Sequence, residues 1–328
     1  MSIDAPIIGI DLGGTNMQIG VCDHRGRVVA RSKRKTKPED GLSAVLERIV
    51  DGCKEACVGA GVNVGDTAGV GIGAPGAVDP ARGLVRTAVN LKWNDVPLAS
   101  LLGERLGIPV VVDNDVNVAL YGEVRAGAAA GELNAIGVWV GTGIGGALVI
   151  NGGLYYGPLL TAGEIGHMVL IPNNPPGHRS VEHNCSRTAV VDRIVRLIRS
   201  NRPSKITELV DGNLDKIKSK TLAEAYKGGD PLTVEVIDDS AQFLGITVAS
   251  VVTLLSIDLV VLGGGLTEAI GRPFADRVQE SAKRFAFPSL CAERLRVVTS
   301  KLEDDAGVVG AAMIAREKIE ARAAKAAV

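Results

Sequence analysis

The chain has 328 residues, 46 % hydrophobic and 22 % charged, a globular composition that excludes a disordered chain; its 41 glycines follow no collagen-like period. That length exceeds the ~250–300 residues at which single cores stop growing, so two domains are expected. A net charge of −1 leaves no basic surplus for a nucleic-acid backbone, and no apolar run is expected to reach the ~20 residues that span a bilayer.

The opening MSIDAPIIGID lacks the charged, apolar and small-residue regions of a secretory signal. The five scattered cysteines (Cys22, Cys53, Cys57, Cys185, Cys291) fit reduced thiols, and together these features predict a cytoplasmic protein. In chain order, an apolar strand is predicted at 7–11, a glycine turn at Gly13-Gly14, a second strand at 17–23 and a return at 28–32. Residues 41–60 carry Leu42, Val45, Leu46, Ile49, Val50 and Cys53 at helical spacing, and Cys53 and Cys57 read as one buried helix face rather than a metal site. A buried strand follows at 68–72, stopped by Gly73-Ala74-Pro75-Gly76, then a helix at 98–106 and a strand at 109–112 that ends in Asp113-Asn114-Asp115. A helix is expected at 117–126. The opening pattern then recurs about 130 residues on: strand 135–140, a Gly141-Thr142-Gly143-Ile144-Gly145-Gly146 turn, and strand 147–150. This repeat predicts two related α/β domains, each beginning with a hairpin whose turn faces a phosphate. Further helices are expected at 188–200, 222–226 and 234–255, strands at 259–262 and 295–299, a Gly263-Gly264-Gly265 turn, an exposed polar stretch at 211–220 and an alanine-rich helix at 307–326.

Phosphates are held by backbone N–H groups in concave turns that glycine permits. The three glycine turns are candidates, though none matches the Walker string and none reads as a GxGxxG run opening a helix.

In order, Asp11-Leu-Gly-Gly-Thr-Asn16, Gly73-Ala-Pro-Gly76, Asn90-Leu-x-Trp93, Asp113-Asn-Asp-x-Asn117, Gly141-Thr-Gly-x-Gly-Gly146, Gly163-Glu-Ile-Gly-His167 and Gly263-Gly-Gly265 resemble the motifs of bacterial ROK-family sugar kinases, most of all their glucokinases, from about residue 7 to about 316. The resemblance implies an actin-like, duplicated ribonuclease-H-like α/β fold with an interdomain active-site cleft. It places the N-terminal domain at 1–117, with helix 307–328 packing back on it, and the C-terminal domain at 118–306. It further implies ATP-dependent phosphorylation of a hexose 6-hydroxyl, glucose first, with Asp115 as general base. By the same resemblance Gly13, Gly14, Thr15, Thr142 and Gly143 hold the phosphates, Asp11 lies near Mg²⁺, and Gly263, Gly264 and Gly265 lie against the adenosine. Gly76, Asn90, Asn114, Asp115, Glu164, His167 and Glu182 meet the sugar. A homodimer is implied as well.

The chain departs from the family at one place. Many members bind zinc through a His equivalent to His167 and three cysteines, but His167-MVLIPNNPPGHRSV-Glu182 contains no cysteine. A zinc-free loop held by Pro172, Pro175 and Pro176 is expected, with an unusual site of His167, His178, His183 and Cys185 as the alternative. Other readings are a kinase of N-acetylmannosamine, N-acetylglucosamine, fructose or mannose, or one using polyphosphate or ADP as donor. A sugar-responsive repressor is disfavoured because no helix-turn-helix is expected before the first strand. A dinucleotide-dependent oxidoreductase is disfavoured because strand pattern resumes after Gly146.

Overall fold

The computed structural model describes residues 5–326; the first four residues of the signal reading and the expected helix end at 327–328 lie outside them. The chain divides into two compact units, one running up to 132 and taking in 154–162 and everything from 304, the other comprising 133–153 and 163–303.

In the first unit, β1 (Ile7–Leu12), β2 (Asn16–Cys22) and β3 (Val28–Lys35) form an antiparallel meander, with Ile10 opposite Ile19 and Leu12 opposite Met17. Helix α1 (Leu42–Ala60) follows and buries Val45, Leu46, Ile49, Val50, Cys53, Ala56 and Cys57, so both cysteines lie on its core face. Strand β4 (Val70–Ala74) leads to a small sheet of β5 (Ala77–Asp79), β6 (Leu84–Ala88) and β7 (Trp93–Val96), then to α2 (Leu98–Leu106), β8 (Val110–Asn114) and α3 (Asp115–Ala126). The main sheet has the order β3-β2-β1-β4-β8, with β1, β4 and β8 parallel. Parallel strands are covered on both faces, which is why these three read as nearly continuous apolar runs. The C-terminal helix Ala306–Ala326 packs on β1, β4 and α3. Its close approach requires glycine: a Cβ on Gly71 would stand 1.9 Å from the Ala311 carbonyl oxygen, and one on Gly310 1.6 Å from that of Val118. The boundary expected at 117 falls inside α3, whose buried face (Val118, Leu120, Tyr121, Val124) keeps the whole helix in the first unit.

The second unit repeats the plan with β9 (Ala135–Val140), β10 (Ile144–Ile150), β11 (Gly153–Leu154), α4 (Val181–Cys185), α5 (Arg187–Arg199), α6 (Ile206–Leu209), α7 (Ser219–Lys227), α8 (Pro231–Leu255), β12 (Leu259–Gly263), α9 (Gly265–Ile270), α10 (Arg272–Phe285), α11 (Ser289–Arg294) and β13 (Arg296–Thr299). Its sheet order is β11-β10-β9-β12-β13, with β9, β12 and β13 parallel and β10 antiparallel to β9. Thus a hairpin followed by two parallel strands occurs twice. Contrary to the sequence expectation, α8 is long and apolar enough to pass as a membrane span. Its buried residues, among them Leu232, Val236, Ile237, Leu244 and Val248, instead form the unit's core against α10, α4, α5 and α7.

Helix α8 starts at Asp230, which is 1 % exposed. Its carboxylate accepts from the backbone N–H of Thr233 (3.0 Å) and Lys205 (3.0 Å) and from the hydroxyls of Ser204 (2.8 Å) and Thr233. Burial alone would raise its pKa; the donors outweigh burial and hold it below the ordinary carboxylate range. A folded pKa below the unfolded one contributes stability above the unfolded value of ~3.9, and that stability is lost as pH falls through the folded value. Asp230→Ala is expected to cost about 2 kcal/mol near neutral pH, the upper end for an N-cap. In urea melts the gap to the parent closes as pH drops below about 4.

Candidate active site

Most of the residues singled out in the sequence lie at the carboxyl ends of parallel strands, or in the turns that follow them, where α/β sheets bind ligands. In the first unit the ends of β1, β4 and β8 lie side by side, with Asp11 beside Gly73, Gly73 beside Asp113 and Ala74 beside Asn114. Gly13, Gly14 and Thr15 make the β1–β2 turn, tied down by the Thr36 hydroxyl donating to the Gly13 carbonyl (2.6 Å) and the Thr36 N–H to that of Thr15 (2.9 Å). Asn90 packs on this turn, since a Cβ on Gly14 would meet its Cβ at 3.0 Å. Gly76 has φ +86° beside the Thr87 carbonyl, and its own carbonyl accepts from Asn114 Nδ2 (3.0 Å). Asn114 caps α3 by accepting from the N–H groups of Val116 (2.9 Å) and Asn117 (3.1 Å), which leaves Asp115 as the first helical residue, half-exposed. Trp93 is buried in the core with Leu91, below the Asn90 turn.

Asp11 is half-buried, and burial, then the Asp304 carboxylate, push its pKa up to about 6. Two neighbouring carboxylates that repel in this way suit a cation held jointly with phosphates, as Mg²⁺ is commonly bound.

Sequence reasoning quoted Asp113 in a motif but assigned it no role. It is 1 % exposed and accepts from Tyr156 OH (2.6 Å), Lys318 Nζ (3.1 Å), Asn117 Nδ2 (3.2 Å) and the Asn114 N–H (2.9 Å). Burial, then the Asp113 charge, raise the Tyr156 phenol well above its ordinary range, so it stays a donor. Asp113 thereby ties strand β8, the 154–162 segment and the C-terminal helix together one residue before Asn114. No short-range signal links residues 113, 156 and 318.

In the second unit, Thr142 and Gly143 form the β9–β10 turn. Arg187 donates to the Thr142 hydroxyl (2.9 Å) and the Thr188 hydroxyl to the Thr142 carbonyl (2.8 Å), docking the start of α5 on the turn. Arg187, also missed in the sequence, sets a cation beside a candidate phosphate turn. Glu182, on α4, accepts from the Ile144 N–H (2.8 Å) and lies so close to Gly143 that a Cβ there would be 2.3 Å from its carboxylate. Glu164 and His167 stand together, Oε2 to Nε2 3.8 Å, on a short turn of 3-10 helix beside β10. Gly163 and Gly166 let that segment approach: Cβ atoms there would lie 2.7 Å from the Gly146 carbonyl oxygen and 2.1 Å from that of Ile144. Among the described residues no hydrogen bond joins Glu182 to Glu164 or His167. Gly263 ends β12 beside Trp139 of β9, and Gly264 has φ +85°. Gly265 opens α9, a helix that the sequence reading did not expect after this turn.

The 168–181 loop is closed by backbone pairing, with Leu170 N–H donating to the Arg179 carbonyl (2.8 Å) and Val181 N–H to that of Met168 (3.0 Å). Pro175 to His178 is a tight turn with Pro176 at its second position and Gly177 at φ +83° at its third, as a type II turn requires. The donor set does not fit zinc. Cys185 is buried, its carbonyl accepts from Ser240 on α8, and burial pushes its thiol up to about 12. Among the described residues no three His, Cys, Asp or Glu side chains converge in metal-binding range.

The ROK family model matches residues 7–318, and the chain belongs to that family. It is 32 % identical over 318 residues to a glucokinase of Thermotoga maritima, covering 95 % of this chain and 98 % of that one. It is also 29 % identical to a putative xylose repressor of a Caldicellulosiruptor species, covering 93 % of this chain and 76 % of the repressor. Among solved structures, a ROK family glucokinase from Streptomyces griseus in complex with glucose and AMPPNP superposes with a TM-score of 0.85 at 31 % identity, covering 95 % of this chain and 99 % of that one. The fold is therefore the actin-like one, with two ribonuclease-H-like units.

Proposed function

We propose that the chain is an ATP-dependent sugar kinase that phosphorylates the 6-hydroxyl of a hexose, with glucose the leading substrate. The observation that carries this reading is the pairing of phosphate-type turns with hydroxyl-binding side chains in each unit: Gly14 against Asn90 in one, Gly143 against Glu182 in the other. Asp115 accepts the proton of the attacking hydroxyl, and Asn114, fixed as the α3 cap, offers its amide beside it. Asn90, Gly76, Glu164, His167 and Glu182 orient the sugar. Gly13, Gly14, Thr15, Thr142 and Gly143 present backbone N–H groups to the phosphates, Arg187 adds charge beside Thr142, and the Gly263–Gly265 turn borders the adenosine. Asp11, with Asp304 near it, holds Mg²⁺, which when bound neutralises charge on the transferred phosphoryl group. A cytoplasmic setting is consistent with five unpaired cysteines, four of them buried.

The test is ADP formation from Mg-ATP with glucose, mannose, fructose, N-acetylglucosamine and N-acetylmannosamine. The highest kcat/KM is expected with glucose. A maximum at another sugar would keep the chemistry and correct the substrate. Sugar binding without ADP formation, with polyphosphate equally silent, would favour the repressor-like reading that the Caldicellulosiruptor relative raises.

A further inference from the structure

Behind α4, on the second unit, lies a cavity of about 380 Å³ lined by Asn174, His178, His183, Arg193, Arg196 and Phe243. No carboxylate lines it. Arg193 is engaged by Asp239 at 2.6 Å, but among the described residues Arg196 has no ion-pair partner. His183 has its Nδ1 2.7 Å from the Ser180 hydroxyl, whose oxygen also accepts the His183 backbone N–H (3.3 Å). The Ser180 hydroxyl thus engages Nδ1, and Nε2 is the ring nitrogen left to meet a ligand. His178 is held in place from behind, its carbonyl accepting from Asn174 Nδ2 (3.1 Å) and Asn184 Nδ2 (3.1 Å), with its ring exposed. A guanidinium without an ion-pair partner and two imidazoles, on a concave wall that includes an aromatic ring, complement an oxyanion on a small organic body.

We propose that this cavity is a binding site for a phosphate group, carried by a small phosphorylated metabolite or free, distinct from the catalytic residues. Arg196 and the two imidazoles take the phosphate oxygens, and Phe243 and Pro175 face the organic portion. The site is one residue from Glu182: on α4, Glu182 reaches the Ile144 N–H on one side while His183 lines the cavity on the other. Occupancy therefore bears on the position of Glu182.

Binding is tested independently of the kinase reading, because the chain has only four histidines: His24, His167, His178 and His183. Imidazole ¹⁵N signals of the full chain are followed while inorganic phosphate, and separately glucose 6-phosphate, are added at constant ionic strength. His178 and His183 are expected to shift together and saturably, with His24 unmoved, and Arg196→Ala to weaken the titration about tenfold, as for one charge-assisted contact. A response to the ester alone would identify the organic body as part of the ligand and support the site. If neither anion moves His178 and His183, if the ester moves only His167, or if Arg196→Ala titrates like the parent, the proposal is overturned.

Discussion

Asp115→Asn is expected to lower kcat about 10²–10⁴-fold, the usual worth of a general base, while the protein keeps its fold. The amide is isosteric with the carboxylate, and its oxygen can still accept from the Val116 N–H, as Asp115 Oδ1 does at 2.9 Å. The cap of α3 is made by Asn114, not Asp115, so the helix start survives the change. What is lost is the ability to take a proton from the sugar hydroxyl. Because phosphoryl transfer relies mainly on positioning and charge stabilisation, sugar and nucleotide binding should change little and the loss should appear in kcat rather than KM. Initial rates of ADP formation, with circular dichroism and a thermal melt as controls, decide the matter. A kcat near that of the parent, with the fold intact, would remove Asp115 from the role of base.

Much of this arrangement was legible in the sequence, for a definite physical reason. Turns at the ends of parallel strands need glycine where backbones meet or φ is positive, and the strands before them are buried on both faces. Runs such as Ile7–Leu12 before Gly13, or Leu259–Gly263 before Gly264, therefore announce both the strand and the site. Helix α1 was legible because its apolar residues keep one face throughout. The sheet of β5, β6 and β7 was not, because its strands are three to five residues long and Leu84–Ala88 buries two neighbours, exposes two and buries one, which breaks alternation. Helix α10 was equally legible, with Phe274, Ala275, Val278, Ser281 and Ala282 on one helical face against charged residues on the other, but the sequence reading assigned it no element. Side-chain partnerships between distant segments, Glu182 with Ile144 or Thr142 with Arg187, have no periodic signature at all. The motifs name the candidate residues, but not what holds them in place.

Asp113 shows how much that support is worth. Asp113→Ala is expected to destabilise the protein by about 3 kcal/mol, near the lower end for breaking a buried ion pair. Three side-chain donors and one backbone N–H lose their acceptor together. Lys318 is a third exposed and can turn towards water, which keeps the figure from the upper end of the range. Tyr156→Phe removes one of the four hydrogen bonds and leaves the ring in place, so a loss of about 1–1.5 kcal/mol is expected. Lys318→Met, which removes the cation and retains the stem, should soften the effect of Asp113→Ala: in the double variant no charge is left behind. The sum of the single losses should therefore exceed the double loss by about 1 kcal/mol or more. Urea denaturation of the four variants and the parent measures this cycle. Strict additivity would mean that Lys318 and Asp113 stabilise the protein independently, and that the Tyr156, Asn114 and Asn117 donors alone account for the cost at Asp113. kcat in Tyr156→Phe should fall further than its modest stability loss explains, because the Asp113 carboxylate that Tyr156 holds also accepts the N–H of Asn114, the residue before Asp115.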